Sequence, residues 1–164
     1  MMKNKVLKLL RENARMDFAE IALRCGISSV QEVEDIVAGL ERSGVIRGYT
    51  AVTDDFAVSG GAAMVKAIIE VKVTPRRDGG FDHVAQRIAK FPEVTDLILL
   101  SGSCDLLLTI QGESLQEVAN FVAEKLATID GVISTSTGFM LRKYKESGRI
   151  MLNDENYERL KICF

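Results

Sequence analysis

The stretch from Leu97 to Ile110 constrains this chain most. It reads Leu-Ile-Leu-Leu-Ser-Gly-Ser-Cys-Asp-Leu-Leu-Leu-Thr-Ile, two apolar runs around a short polar break. Each run is too short for a typical helix and ends in turn residues. The pair therefore reads as two buried strands joined by a tight hairpin. Gly102 offers the left-handed conformations that such connections often need. Ser103 and Asp105 add short side chains that bond to nearby backbone amides. Neither run alternates cleanly, as a strand with one wet face would, so both faces of the hairpin are expected to be covered. One cover must come from elsewhere in the chain; the other is open to a second copy of it.

The flanking segments supply the first cover. Met64–Thr74 alternates, with Val65, Ala67, Ile69, Val71 and Val73 on one face and Lys66, Ile68, Glu70, Lys72 and Thr74 on the other. Pro75–Gly80 reads as a loop, and Phe81, Val84, Ala85 and Ile88 then follow amphipathic helical spacing. After the hairpin, Ser114-Leu115-Gln116-Glu117 has the form of a capping box, opening a helix expected to turn Leu115, Val118, Ala119, Val122 and Leu126 inward. Val132–Tyr144 reads as a last strand broken by Gly138. The order is β-α-β-β-α-β, two β-α-β halves that make a ferredoxin-like antiparallel sheet with both helices on one face. The hairpin still leaves apolar residues on the far face, and at about 25 cal/mol per Å² wetting them is costly. Pairing with an identical sheet removes that cost, so a homodimer at least is expected.

The N-terminal part has another character. Val6, Leu7, Leu9 and Leu10 sit at helical spacing among Lys5, Lys8 and Arg11. Asp17-Phe18-Ala19-Glu20 is a capping box before a short second helix, which stops at Cys25-Gly26. Ser28 or Ser29 caps a third helix, with Val30, Val33, Val37 and Leu40 as its stripe and Ser43-Gly44 at its end. Three short helices with a tight glycine turn between the last two form a helix-turn-helix pattern. Val45–Val52 follows as a β-prone run, and Thr53–Gly61 is polar and glycine-bearing. The expected fold is thus α+β: a helix-turn-helix (winged-helix-like) domain at residues 1–52, a hinge at 53–61, a ferredoxin-like domain at 62–145 and a tail at 146–164.

Composition narrows the function classes. The net charge of −2 does not advertise nucleic-acid binding, although a chain average can hide a local patch. No apolar run is long enough for a membrane span. The basic, amphipathic start has no small-residue cleavage site after it and reads as a helix rather than a signal peptide. Cys25, Cys104 and Cys163 are scattered, without metal-ligand or disulfide spacing, and fit reduced thiols in a cytoplasm. No phosphate-binding glycine loop or nucleophile elbow occurs. No catalytic residues, metal site or cofactor are expected.

Taken together, these residues resemble the Lrp/AsnC (leucine-responsive, feast/famine) family of prokaryotic transcription regulators. The resemblance rests on Glu20-Ile21-Ala22, Cys25-Gly26-Ile27-Ser28 and the run from Leu40 to Tyr49 in the first half. In the second it rests on Phe91-Pro92-Glu93-Val94, Ser101–Leu107 and Val118–Val122. It implies a DNA reader, a β-strand hinge, and an effector and oligomerisation module that dimerises through its sheets. It also implies further assembly, into a tetramer or octamer. Double-stranded DNA and an amino acid or related metabolite are the partners implied, with no membrane. DNA contacts fall by resemblance to Ser28, Ser29, Gln31, Arg42, Arg47 and Tyr49. By the resemblance the effector would bind at the oligomer interface, where dimers meet, at the Gly-x-x-Asp turn, here Gly102, Ser103, Cys104 and Asp105, with hydroxyls from Thr135 and Thr137. A carboxylate suits an α-ammonium in a partly desolvated site.

Several residues carry a plainer reading beside the functional one. Asp105 either meets a ligand or only satisfies turn amides. Arg47 and Tyr49 either touch phosphate or pack the hinge. Cys104 reads as a hairpin residue rather than a redox sensor, and His83 as a surface histidine. The third helix departs from the family pattern: Gln31-Glu32-Val33-Glu34-Asp35 is acidic where arginines are common, and acids repel phosphates. Two alternatives follow: a small-molecule-binding module with little DNA binding, and a sirohaem-decarboxylase-like enzyme on the same architecture. The lone His83 argues against the enzyme.

Overall fold

A computed structural model describes residues 2–53 and 64–151. The hinge expected at 53–61 lies outside the described residues except for Thr53. The tail beyond Met151, including Leu160, Ile162, Cys163 and Phe164, lies outside them too. The chain divides into two compact units, Met1–Thr53 and Asp54–Phe164.

In the first unit α1 spans Met2–Glu12, α2 Phe18–Cys25 and α3 Val30–Arg42. Each boundary has a chemical cause. The Asp17 carboxylate accepts from the Ala19 amide at 2.7 Å to open α2. Gly26, at φ 69°, closes it in the left-handed conformation that other residues adopt only at a cost. Ser29, not Ser28, caps α3, its hydroxyl accepting from the Glu32 amide at 3.2 Å. Val6, Leu10, Met16, Ile21, Ala22, Cys25, Ile27, Val33 and Val37 form one core. The β-prone run Val45–Val52 forms no strand. A strand needs an edge to pair with, and none adjoins it among the described residues.

The second unit has β1 (Val65–Val73), α4 (Asp82–Ile88), β2 (Val94–Leu99), β3 (Leu106–Gly112), α5 (Leu115–Asn120) and β4 (Val132–Phe139). The four strands form an antiparallel sheet in the order β2-β3-β1-β4. Ala67, Ile69, Val71 and Val73 of β1 join Leu106, Leu108 and Ile110 of β3 under Val84 and Ile88 of α4. The mixed α/β layering matches the ferredoxin-like expectation. Gly138 stays inside β4, which ends at Phe139, opposite Ala67, because its partner strand runs out near there. A separate hairpin follows, β5 (Lys145–Glu146) and β6 (Arg149–Ile150), turning at Ser147 and Gly148, both at positive φ.

The second helix differs from its sequence pattern. After Asn120 the chain enters a π-helical turn, Phe121–Leu126, and the Ala127 amide donates to the Val122 carbonyl at 2.8 Å. The extra residue in that turn delays the helical phase, so Leu126 lands where an unbroken α-helix would put Lys125. Phe121 therefore points inward, 4% exposed, while Leu115 (57% exposed) and Ala119 face outward. Phe121 meets Phe91 edge to face, centroids 5.4 Å apart. The Lys125 ammonium lies about 6 Å from both rings and pairs with Glu93.

That pair gives a pH prediction. The hydrogen bond from Lys125 holds the Glu93 carboxyl below its ordinary value of 4.5. A lowered folded pKa contributes stability that is complete above the ordinary value and drains away as pH falls through the lower one. Glu93→Gln is expected to flatten that acid limb in melting temperatures recorded across pH, with a small loss near neutrality that vanishes as wild type and variant converge at low pH.

Candidate functional sites

The polar break between β2 and β3 is wider than a tight hairpin and runs from Leu100 to Asp105. Gly102 does not take a positive φ, and a side chain there would meet nothing. The longer connection removes the need for the left-handed turn. Closure comes instead from Asp105. Its carbonyl accepts from the Leu100 amide at 2.8 Å, and its own amide donates to the Val71 carbonyl at 3.1 Å. Its carboxylate Oδ2 accepts from the Val73 amide at 2.8 Å.

The reason is positional. β3 begins opposite Val71, so Val73 lies past the end of its neighbour, and its buried N–H would otherwise have no ladder partner. Asp105 thus does the turn work weighed in the sequence, while its second oxygen takes no part in that bond. The side chain is half-buried and Cys104 beside it is buried, whereas Ser101, Gly102 and Ser103 are exposed.

Thr135 pairs with Val71 and Thr137 with Ile69, so both lie across β1 from this loop. Thr135 is level with Leu106, one residue from Asp105, and half-buried; Thr137 is a step further along and exposed. Two strand spacings, about 10 Å, separate β3 from β4. The loop residues come together as one cluster, with Thr135 flanking it and Thr137 set apart.

At the same end of the sheet the Thr74 amide donates to the Gly131 carbonyl at 2.8 Å. Gly131 takes φ 98°, and a Cβ built there would come within 3.4 Å of His83 Nε2. His83 is therefore not the surface residue its neighbours suggest. It is half-buried, with both ring nitrogens shielded and unbonded, because α4 turns it against the glycine that opens β4. Among the described residues no group of His, Cys, Asp or Glu could hold a metal ion, and no helix is long and apolar enough to cross a membrane.

In the first unit Ser28, Gln31 and Arg42 are exposed, and Ser29 is spent on its cap. Gln31 donates its side-chain amide to Asp35 at 3.4 Å. The guanidinium of Arg47 lies beside Gly44, 3.5 Å from where a Cβ would stand. The Tyr49 hydroxyl donates to Glu41 at 2.8 Å; burial first, then this carboxylate, pushes the phenol pKa up. Arg47 and Tyr49 thus fold the chain leaving α3 back onto its last turn. Sequence reading missed Asp35 and Glu41, although the i, i+4 spacing from Gln31 signalled the first. Nothing local signalled the second.

Comparison with known proteins places these units. The Lrp/AsnC ligand binding domain family matches residues 66–150. An uncharacterised HTH-type transcriptional regulator of Bacillus subtilis, YugG, is 43% identical over 160 residues, covering 98% of this chain and 95% of the relative. The leucine-responsive regulatory protein of Rhizobium meliloti is 32% identical, covering 89% of this chain and 91% of its own. Among solved structures, a Neisseria meningitidis transcriptional regulator in complex with L-Met superposes with a TM-score of 0.66 at 27% identity, covering 88% of this chain and 91% of that one. The structure of Escherichia coli AsnC (TM-score 0.64, 21% identity, covering 88% of this chain and 93% of that one) shares the fold.

Proposed function

The chain belongs to the Lrp/AsnC family, and we propose that it is a DNA-binding transcription regulator whose second unit senses an amino acid through the Leu100–Asp105 loop. The observation that carries this is one chain holding both a capped helix-turn-helix and a sheet unit that matches the family's ligand binding domain. The relative solved with L-Met supports an amino acid as the effector class. In this reading Gly102, Ser103, Cys104 and Asp105 form the effector loop. The Asp105 oxygen not used on Val73 meets the ligand ammonium, with Thr135 flanking. Thr137 stands further out in the same strand. Ser28, Ser29, Gln31, Arg42, Arg47 and Tyr49 lie at or beside the DNA.

The sheet's far face supports a dimer. Ile98 (51% exposed) lies there in register with the half-buried Leu107, and Ile68 (39% exposed) lies diagonal to them on β1, opposite Thr109. Covering that row with a second sheet recovers the cost of wetting it, and higher assembly would carry several readers on one DNA. A tetramer or octamer fits this reading. We assign no catalytic role: the relatives are named as transcription regulators, and the setting proposed is cytoplasmic.

The acidic α3 favours one other reading, a small-molecule-binding module with little affinity for DNA. A gel-shift titration against the chain's own upstream DNA separates the two, run at two salt concentrations with each amino acid in turn. Salt-sensitive shifts that an amino acid alters support the regulator. An amino acid that binds while no duplex shifts supports the module.

A further inference from the structure

α3 turns Val33, Val37 and Leu40 into the core. The opposite ridge carries Gln31, Asp35 and Arg42, spaced i, i+4 and i+11, all exposed. The Gln31 amide nitrogen donates to Asp35 Oδ1 at 3.4 Å. A carboxylate only accepts, so this contact fixes which end of the Gln31 amide faces Asp35. One of the two amide hydrogens of Gln31 is thereby spent on the helix itself. The other hydrogen and the carbonyl oxygen of Gln31 remain for a partner, while the second Asp35 oxygen can only accept.

The donors on base edges in the major groove are the exocyclic amino groups, N4 of cytosine and N6 of adenine. Guanine shows two acceptors there, and thymine an acceptor and a methyl. We propose that α3 reads DNA by accepting, with Asp35, steadied by Gln31, facing the exocyclic amino group of a cytosine, or failing that an adenine, at one position of the bound sequence. The proposal rests on the regulator reading above.

The same carboxylate is repelled by guanine O6 and N7, by thymine O4 and by phosphate, so it selects by exclusion as well as attraction. Attraction to the DNA backbone then falls to basic groups away from this ridge or at its end. Arg42 closes it, and Lys3, Lys5 and Lys8 line the exposed side of α1. Arg24 is engaged with Glu20 at 2.5 Å.

The test selects duplexes from a randomised pool with the full-length protein. Wild type, Asp35→Ala and Asp35→Asn are then titrated on the selected duplex and on each single-base variant. One position is expected to favour cytosine or adenine over guanine and thymine by roughly tenfold. Asp35→Ala erases that preference, leaves the other positions unchanged, and binds unrelated DNA more tightly at low salt. Asp35→Asn, which keeps the shape and gains a donor, moves the position towards adenine. Uniform tightening on every duplex with preferences intact overturns the proposal, since the carboxylate then only repels phosphate. Binding of selected duplexes with no amino-bearing position that depends on Asp35 also overturns it and leaves the regulator reading standing. Failure of wild type to bind any duplex overturns both.

Discussion

Asp105→Ala is expected to abolish the response to the amino acid and to destabilise the sheet unit by about 1–3 kcal/mol, the cost of leaving a buried donor unmade. The donor is the Val73 amide, which accepts no substitute because β3 ends short of it. Asp105→Asn separates the two effects. Its side-chain oxygen can still accept from Val73, so urea unfolding should show a midpoint close to wild type. Its missing charge removes the partner for an ammonium, so calorimetric titration with the effector should show binding weakened by tenfold or more, consistent with about 1.5–3 kcal/mol for a charged hydrogen bond. An asparagine variant that binds the amino acid as tightly as wild type would confine Asp105 to the turn.

The second large effect belongs to the π-helical turn. Phe121→Ala is expected to cost about 3–5 kcal/mol, a large share of the ~5–15 kcal/mol that holds a domain together. Phe121 is 4% exposed and packs edge-on against Phe91, so its truncation opens a cavity in the core. Leu115→Ala, a residue that a plain helical wheel places in the core, serves as the contrast. At 57% exposed it should shift the unfolding midpoint little. If the two variants unfolded at the same denaturant concentration, the π turn would not set the inward face.

These two sites mark where sequence stops being sufficient. The helix-turn-helix was readable because its boundaries are local. An aspartate, a glycine and a serine each satisfy or release backbone groups within a few residues. β1 was readable because strict alternation leaves one register that buries Ala67, Ile69, Val71 and Val73 together. The π turn was not, since inserting a residue into a helix preserves amphipathic spacing on either side and shifts only the phase between them. Gly102 misled because a glycine in a polar break suits a tight turn, while the long bond from Asp105 to Val73 is set by where a neighbouring strand ends. Val45–Val52 has strand-forming residues but no edge beside it among the described residues. His83 looked like a surface residue because the glycine it packs on lies far along the chain. In the candidate sites, the loop cluster was legible as a run, whereas the bonds of Gln31 to Asp35 and Tyr49 to Glu41 exist only in the folded chain.

In the proposed regulator, amino-acid binding at the sheet end and DNA binding by α3 are coupled, and coupling is reciprocal by thermodynamic necessity. If an amino acid changes DNA affinity by some factor, DNA must change amino-acid affinity by the same factor. The most direct measurement is the amino-acid dissociation constant, taken calorimetrically on the free protein and again on protein saturated with its upstream duplex. The two values are expected to differ, typically by about 5–150-fold, in the ratio by which the same amino acid moves the duplex affinity. Equal values with and without DNA, at an amino acid and duplex that each bind, would contradict the coupling.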